Sequence, residues 1–162
     1  MFERIEDAAG LFEFRLGSAY KLEHTVLAML GELQEKAQGD ELKWLLRHHA
    51  EETRQQIANL EQAFHALGRE PEEKPCPPID GIEKEGDACI KKSADAVVDA
   101  VILAGAVETE HHEIAVYECL IIQAEALGHE DLVPLFEENV EQERHMLEDI
   151  KRATQKVAQR VV

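Results

Sequence analysis

The sequence predicts an all-α protein in which four long helices form two antiparallel hairpins, joined by a long crossover that carries a short extra helix. Three observations support this. Apolar residues recur at three- and four-residue spacing over long stretches, those stretches end at glycines, and the prolines crowd into one segment, REPEEKPCPP. At 162 residues and 44% hydrophobic composition, the chain is suited to a single domain, 1–162, with a sizeable buried core.

The first long helix carries the stripe Leu16, Tyr20, Leu27, Leu30 and Leu33 and is expected to end at Gly39. Asp40 can cap the second, whose stripe reads Leu42, Leu46, Ile57, Leu60, Phe64 and Leu67 before Gly68 stops it. So short a turn makes these two helices antiparallel. The proline-rich segment then breaks helical structure and gives an extended crossing. A short helix around Ile79 to Ile90 is expected next, interrupted by Gly81 and Gly86. Ser93 can cap the third long helix, which runs to Leu127 and is closed by Gly128. Asp131 can cap the fourth, with Pro134 tolerated in its first turn and the stripe Phe136, Val140, Leu147, Ile150 and Val157. This is the connectivity of ferritin-like four-helix bundles. A faint echo of Leu22-Glu23-His24 in Thr109-Glu110-His111 adds a pseudo-twofold relation between the hairpins.

Charge narrows the function classes. Asp and Glu total 34 against 17 Lys and Arg, a formal charge of −17, so phosphate backbones and anionic membranes are repelled and nucleic acid is not an expected partner. The apolar runs fall far short of the roughly 20 residues that cross a bilayer, and MFERIEDAAG lacks the basic-then-apolar character of a signal segment. A soluble, cytoplasmic protein is expected. Cys76, Cys89 and Cys119 have none of the paired spacings of zinc sites or disulfide scaffolds, which fits a reduced compartment.

The chemistry lies in carboxylates placed where a core should be. Residues three, four and seven apart share a helical face. Glu23 falls in line with Leu16, Tyr20, Leu27 and Leu30; Glu113 lies between Ala106 and Tyr117, with Glu110 one turn earlier; Glu143 aligns with Phe136, Leu147 and Ile150. A lone ionised carboxylate inside a core costs several kcal/mol, so four together demand compensation, which a pair of divalent cations supplies. Iron(II) and manganese(II) accept carboxylate oxygen and imidazole nitrogen together, and ferritin-like sites draw such ligands from all four helices. On the second helix the apolar face centres near Thr53, placing His49 and Gln56 inside and Glu52 on the border. His49 and Glu52 can share a metal, or His49 can be a hydrogen-bonded core histidine and Glu52 a solvated edge charge. His145 points away from the site by phase, His24, His48 and His112 read as surface residues, and His111 borders the face of Glu110 as a potential orienting partner. Tyr20 and Tyr117 flank the site by phase, and Cys119 reads as a small buried residue.

The segments AYKLEHTVLAML, HHAEETRQQIANLEQAFHALG, CPPIDGIEKEG, VVDAVILAGAVETEHHEIAVYECL and AEALGHEDLVPLFEENVEQE resemble, in order and spacing, the YciF-like family of bacterial ferritin-like stress proteins. The most specific pieces are His49 with Glu52-Thr53, the turn from Cys76-Pro77 to Gly81, and Glu110-His111 followed by Glu113-Ile114-Ala115 and Tyr117. The resemblance implies a dimeric ferritin-like protein with a di-iron-type centre and a role in stress response. Its implied metal ligands are Glu23, Glu52, Glu110, Glu113 and Glu143, with His49 close by. Gln56 takes a position where histidine or glutamine is common, while Gln142 and Leu147 replace the Glu and Asp expected on the fourth helix and weaken ligation on that side.

Two readings of function follow. In one, two iron or manganese ions react with oxygen or peroxide during stress. In the other, the same ions stabilise a structural or partner-binding homodimer without turnover, with the crossover as its interaction surface. A ferritin cage is a weaker third, since nothing in the sequence specifies a closed shell.

Overall fold

The computed structural model describes residues 4–160, which form five α-helices and no strand. They are α1 (Ala8–Lys36), α2 (Asp40–Ala66), α3 (Pro77–Lys91), α4 (Asp95–Leu127) and α5 (Val133–Ala158). The architecture is the ferritin-like bundle expected: α1 with α2 and α4 with α5 form hairpins, α1 lies along α4, α2 along α5, and α3 packs on α4 and α1. Contacts at the ends fix the directions. Phe12, near the start of α1, packs against His129 and Phe136 beyond the end of α4, and Glu41 at the start of α2 pairs with Lys156 at the end of α5.

Several expected boundaries shift. Asp40 is the first residue of α2 and not its cap; Gly39 holds the cap position. The turn before it is closed by Asp99 of α4, whose carboxylate accepts from the N–H groups of Gln38 at 2.7 Å and Gly39 at 2.9 Å. Ser93 caps the end of α3 by donating to the Cys89 carbonyl at 2.8 Å, so α4 starts after it, with Ala94 as cap. Asp131 lies in a turn ahead of α5, which is capped by Leu132. Pro77 and Pro78 open α3, where a missing N–H and a fixed φ cost nothing, and Gly81 and Gly86 leave the helix unbroken. Gly128 closes α4 in the left-handed conformation, φ 76°, as glycine does at little cost.

The crossover lies close against α1 because of Gly17. A Cβ there would sit 2.7 Å from the Glu72 carbonyl, and Lys74 N–H donates to the Gly17 carbonyl at 3.0 Å. Ser18 adds a hydrogen bond to the Pro75 carbonyl at 3.1 Å. This docking carries Cys76 and Ile79 into the core.

The apolar interior is in two parts. One end is built from Leu22, Val26, Leu30, Leu46, Ile102, Leu103 and Ile150 with the buried face of α3. The other is built from Phe12, Leu16, Leu60, Tyr117, Leu120 and Phe136. Between them the four long helices contribute a layer of polar side chains.

Candidate metal centre

Glu23 from α1, His49 from α2, Glu110 and Glu113 from α4 and Glu143 from α5 meet in this layer, and each of the four carboxylates is fully shielded from solvent. Helical phase puts them there. Each occupies a position on an otherwise apolar stripe, so the burial that packs Leu16, Leu120 or Phe136 also withdraws these charges from water.

His49, Glu110, Glu113 and Glu143 are the tightest group, with one donor atom of each lying within 4.8 Å of all the others. His49 Nδ1 is 3.4 Å from Glu110 Oε1, and its Nε2 is 3.6 Å from Glu143 Oε2. One imidazole thus stands between carboxylates of two different helices. Glu23 is next to this group and is held by the Tyr117 hydroxyl, which donates to its Oε1. Glu52 is at the edge. Its side chain is 21% exposed, one oxygen lies 3.5 Å from His48 Nε2, and the other is buried without a donor.

Electrostatics follow burial. Loss of hydration, reinforced by the Glu143 charge, holds the carboxyls of Glu23, Glu110 and Glu113 well above the ordinary glutamate range. Glu52 is raised chiefly by burial, with His48 and His49 opposing. Tyr117 is pushed up first by burial and then by Glu23, so its proton stays on the oxygen and its hydrogen bond to Glu23 is secured.

Hydrogen bonding within the chain does not satisfy the cluster. With the carboxylates ionised, both oxygens of Glu110, Glu113 and Glu143, one oxygen of Glu23 and His49 Nε2 are buried with no hydrogen-bond partner, as are both side-chain atoms of Gln56, and only a shared proton would join Glu110 to Glu143. Buried polar groups are ordinarily paired, and so many convergent acceptors without donors call for protons or a cation. The donor set is carboxylate oxygen with one imidazole nitrogen, which suits iron and manganese better than a soft metal. The group can therefore hold metal.

Other residues fall elsewhere than phase suggested. Tyr20 donates to Glu61 at 2.9 Å on the flank of the bundle; burial and that carboxylate push it up to about 12, and it does not join the cluster. His111 is exposed, and among the described residues no hydrogen bond or ion pair joins it to a carboxylate. His112 is half-buried, its Nε2 3.9 Å from the buried Cys76 Sγ, because the docked crossover covers that side of α4. Cys119 is partly exposed. His145 points outward, as expected, and pairs with Glu141. Asn59 and Asn139, both buried and bonded to each other at 2.7 Å, were not picked out by sequence reasoning. The available signal was that Asn139 shares a face with Phe136 and Glu143.

Comparison with known proteins agrees with this architecture. Residues 7–162 match the family described as Domain of unknown function (DUF892). Protein YciF of Escherichia coli K12 is 29% identical over 142 residues, 86% of this chain and 84% of that protein. Among solved structures, YcfI from Rhodopseudomonas palustris superposes with a TM-score of 0.90 at 36% identity, covering 93% of this chain and 97% of that one. The E. coli stress protein YciF superposes at 0.88 with 24% identity, covering 95% and 98%, a likeness of fold.

Proposed function

The chain belongs to the DUF892 family and is YciF-like, and from that premise we propose that it is a cytoplasmic stress protein whose buried cluster holds two iron or manganese ions that react with oxygen or peroxide. Glu23, His49, Glu52, Glu110, Glu113 and Glu143 are its proposed ligands. The observation that carries the reading is the set of buried, donor-less oxygens on Glu110, Glu113 and Glu143. Two divalent cations would offset four ionised carboxylates and use those lone pairs.

When bound, iron or manganese supplies reversible one-electron redox chemistry. The chain's own residues set the conditions for it. Tyr117 fixes one oxygen of Glu23 and leaves the other free to bind, while His49 offers a nitrogen to either side of the cluster. Leu22 on one side and Leu120 on the other are fully buried and keep bulk water out, which strengthens each charge interaction between them. Glu52, partly exposed beside His48, is suited to pass protons between the cluster and solvent.

Metal analysis of protein purified without added metal, followed by a peroxide-consumption assay, tests the reading. About two iron or manganese ions per chain, with consumption that depends on them, is the expected result. Absence of both metals would overturn it. Metal without turnover would favour the second reading, a metal-stabilised homodimer, for which Ile122, 64% exposed on the outer face of α4, offers an apolar contact.

A further inference from the structure

A cavity of about 50 Å³ runs between α1, α3 and α4 and ends at the cluster. Its walls are Val26, Leu30, Leu46, Ile102 and Gly105, and its inner end is His49 and Glu110. Thr109 also borders it, but its proton is donated to the Gly105 carbonyl at 2.9 Å, so it offers the cavity acceptor lone pairs alone, and the walls named above are otherwise apolar. At the mouth Lys36 of α1 bridges to Asp87 of α3 at 3.0 Å and to Glu32 at 3.5 Å.

Size and polarity together select the occupant. A water needs only about 10–15 Å³ measured this way, yet it also needs two to four polar partners, which these walls do not offer. Apolar cavities take up small apolar molecules instead. Hydrogen peroxide, a double donor and acceptor, would give up its hydration to enter; dioxygen has almost none to lose.

Resting on the metal reading above, we propose that this cavity is the passage by which dioxygen reaches the His49–Glu110 edge of the cluster, with Gly105 keeping it open and the Lys36–Asp87 pair spanning its mouth. The reading names dioxygen, rather than peroxide, as the oxidant the fold admits by this route. Gly105 is the point of control. A Cβ built there meets no atom within 4 Å, so alanine fits without displacing a neighbour and leucine has room to begin filling the space, and both are better helix formers than glycine.

Three measurements on the full chain test this. Crystals pressurised with xenon should show a peak between Leu30, Ile102 and Gly105, lost in Gly105→Leu. Dissolved dioxygen should relax the methyl protons of Leu30 and Ile102 several-fold more strongly than those of Leu60 and Leu120, which are at least as deeply buried in the other half of the core. No xenon peak and uniform relaxation would overturn the passage whatever the metal content. In iron(II)-loaded protein, Gly105→Leu should slow oxidation by air roughly tenfold with iron content unchanged, Gly105→Ala should slow it less, and oxidation by added hydrogen peroxide should be unaffected. Gas in the cavity with unchanged air oxidation would make it a dead end, and equal slowing with both oxidants would place the effect at the ions; either result overturns the passage. Failure of the wild type to bind iron would instead remove the metal reading, and with it the role of the passage.

Discussion

Two buried polar groups sit about one helical turn apart in this bundle, and they are built on opposite plans. Asn59 of α2 donates to Asn139 of α5 at 2.7 Å and to Glu138 at 3.1 Å, and accepts from Gln55 at 3.1 Å; Asn139 in turn donates to the Gln56 carbonyl at 3.3 Å. That group is closed, with donors matched to acceptors. In the Glu23–His49–Glu110–Glu113–Glu143 layer, acceptors face one another with almost no donors. The same helices satisfy buried polar atoms in one place and leave them open in the next, so the open layer is no general failure of the fold to pair its polar groups. Gln56 marks the boundary, since its backbone serves the asparagines while its side chain, one heptad along α2 from His49, is buried and unpartnered.

The strongest way to break this contrast is to remove an open-layer carboxylate. Glu113→Ala should lower metal content by more than the roughly 10–100-fold in affinity that loss of a mere supporting partner costs, while His145→Ala should leave it unchanged. Elemental analysis of the two variants decides it, and equal losses would show that the layer does not bind the metal. Tyr117→Phe is the next step down. It leaves both Glu23 oxygens without a donor and frees the side chain to turn, so metal affinity should fall about 10–100-fold, read by competition with a chelator. An unchanged affinity would exclude Glu23 from the site.

How much of this contrast was legible in the sequence follows from what each part depends on. Four of the carboxylates could be placed because burial follows helical phase, and a Glu on a stripe of leucines is conspicuous. Glu52 could be placed only at the border, because two residues on one face edge differ in exposure by side-chain direction. The helix start at Asp40 was misplaced because a neighbour distant in sequence, Asp99, closes the α1–α2 turn, and the one at Ser93 because its hydroxyl serves the end of the preceding helix at Cys89. The Asn59–Asn139 pair joins residues of two helices, and no local pattern announces it. Tyr20 went astray because phase gives a direction and not a partner, and Glu61 was the nearer one.

Stability against pH separates the two polar groups again. Glu23, Glu110, Glu113 and Glu52 have folded-state values raised above their unfolded ones, so in metal-free protein their penalty is absent below the ordinary glutamate value and grows as pH rises through the raised values. Metal-free protein should therefore melt higher at pH 5 than at pH 7. Loaded protein should show the reverse, since protons compete with the metal for the same oxygens. Glu41 and Asp87, held low by Lys156 and Lys36, act in the opposite direction but mainly below pH 5. At pH 7, metal at a hundredfold excess over its dissociation constant adds about 2.7 kcal/mol, or about 5–11 °C in melting temperature. Identical melts with and without chelator, in protein known to carry metal, would make the ions peripheral.

The smallest effect belongs to the closed group, and its value lies in what it does not depend on. Asn139→Ala removes the acceptor for Asn59 and the donor to the Gln56 carbonyl, yet leaves Asn59 its contacts with Glu138 and Gln55. Losing a buried hydrogen-bond partner costs about 1–3 kcal/mol, and the remaining contacts of Asn59 place this change towards the lower end. At 2–4 °C per kcal/mol the melting temperature should fall by about 2–6 °C. If the closed pair is structural and separate from the open layer, that fall should be the same in metal-free and metal-loaded protein, and metal content should not change, because groups without shared partners contribute additively. Two contacts could couple the groups, the bond from Asn139 to the Gln56 carbonyl and the contact of Asn139 with the Tyr117 hydroxyl that holds Glu23. A penalty that vanishes on chelation would show that Asn139 acts by holding that turn of α2, or the Tyr117 hydroxyl, in place for the open layer, and the division between closed and open groups would then have to be redrawn to include the asparagines in the metal centre.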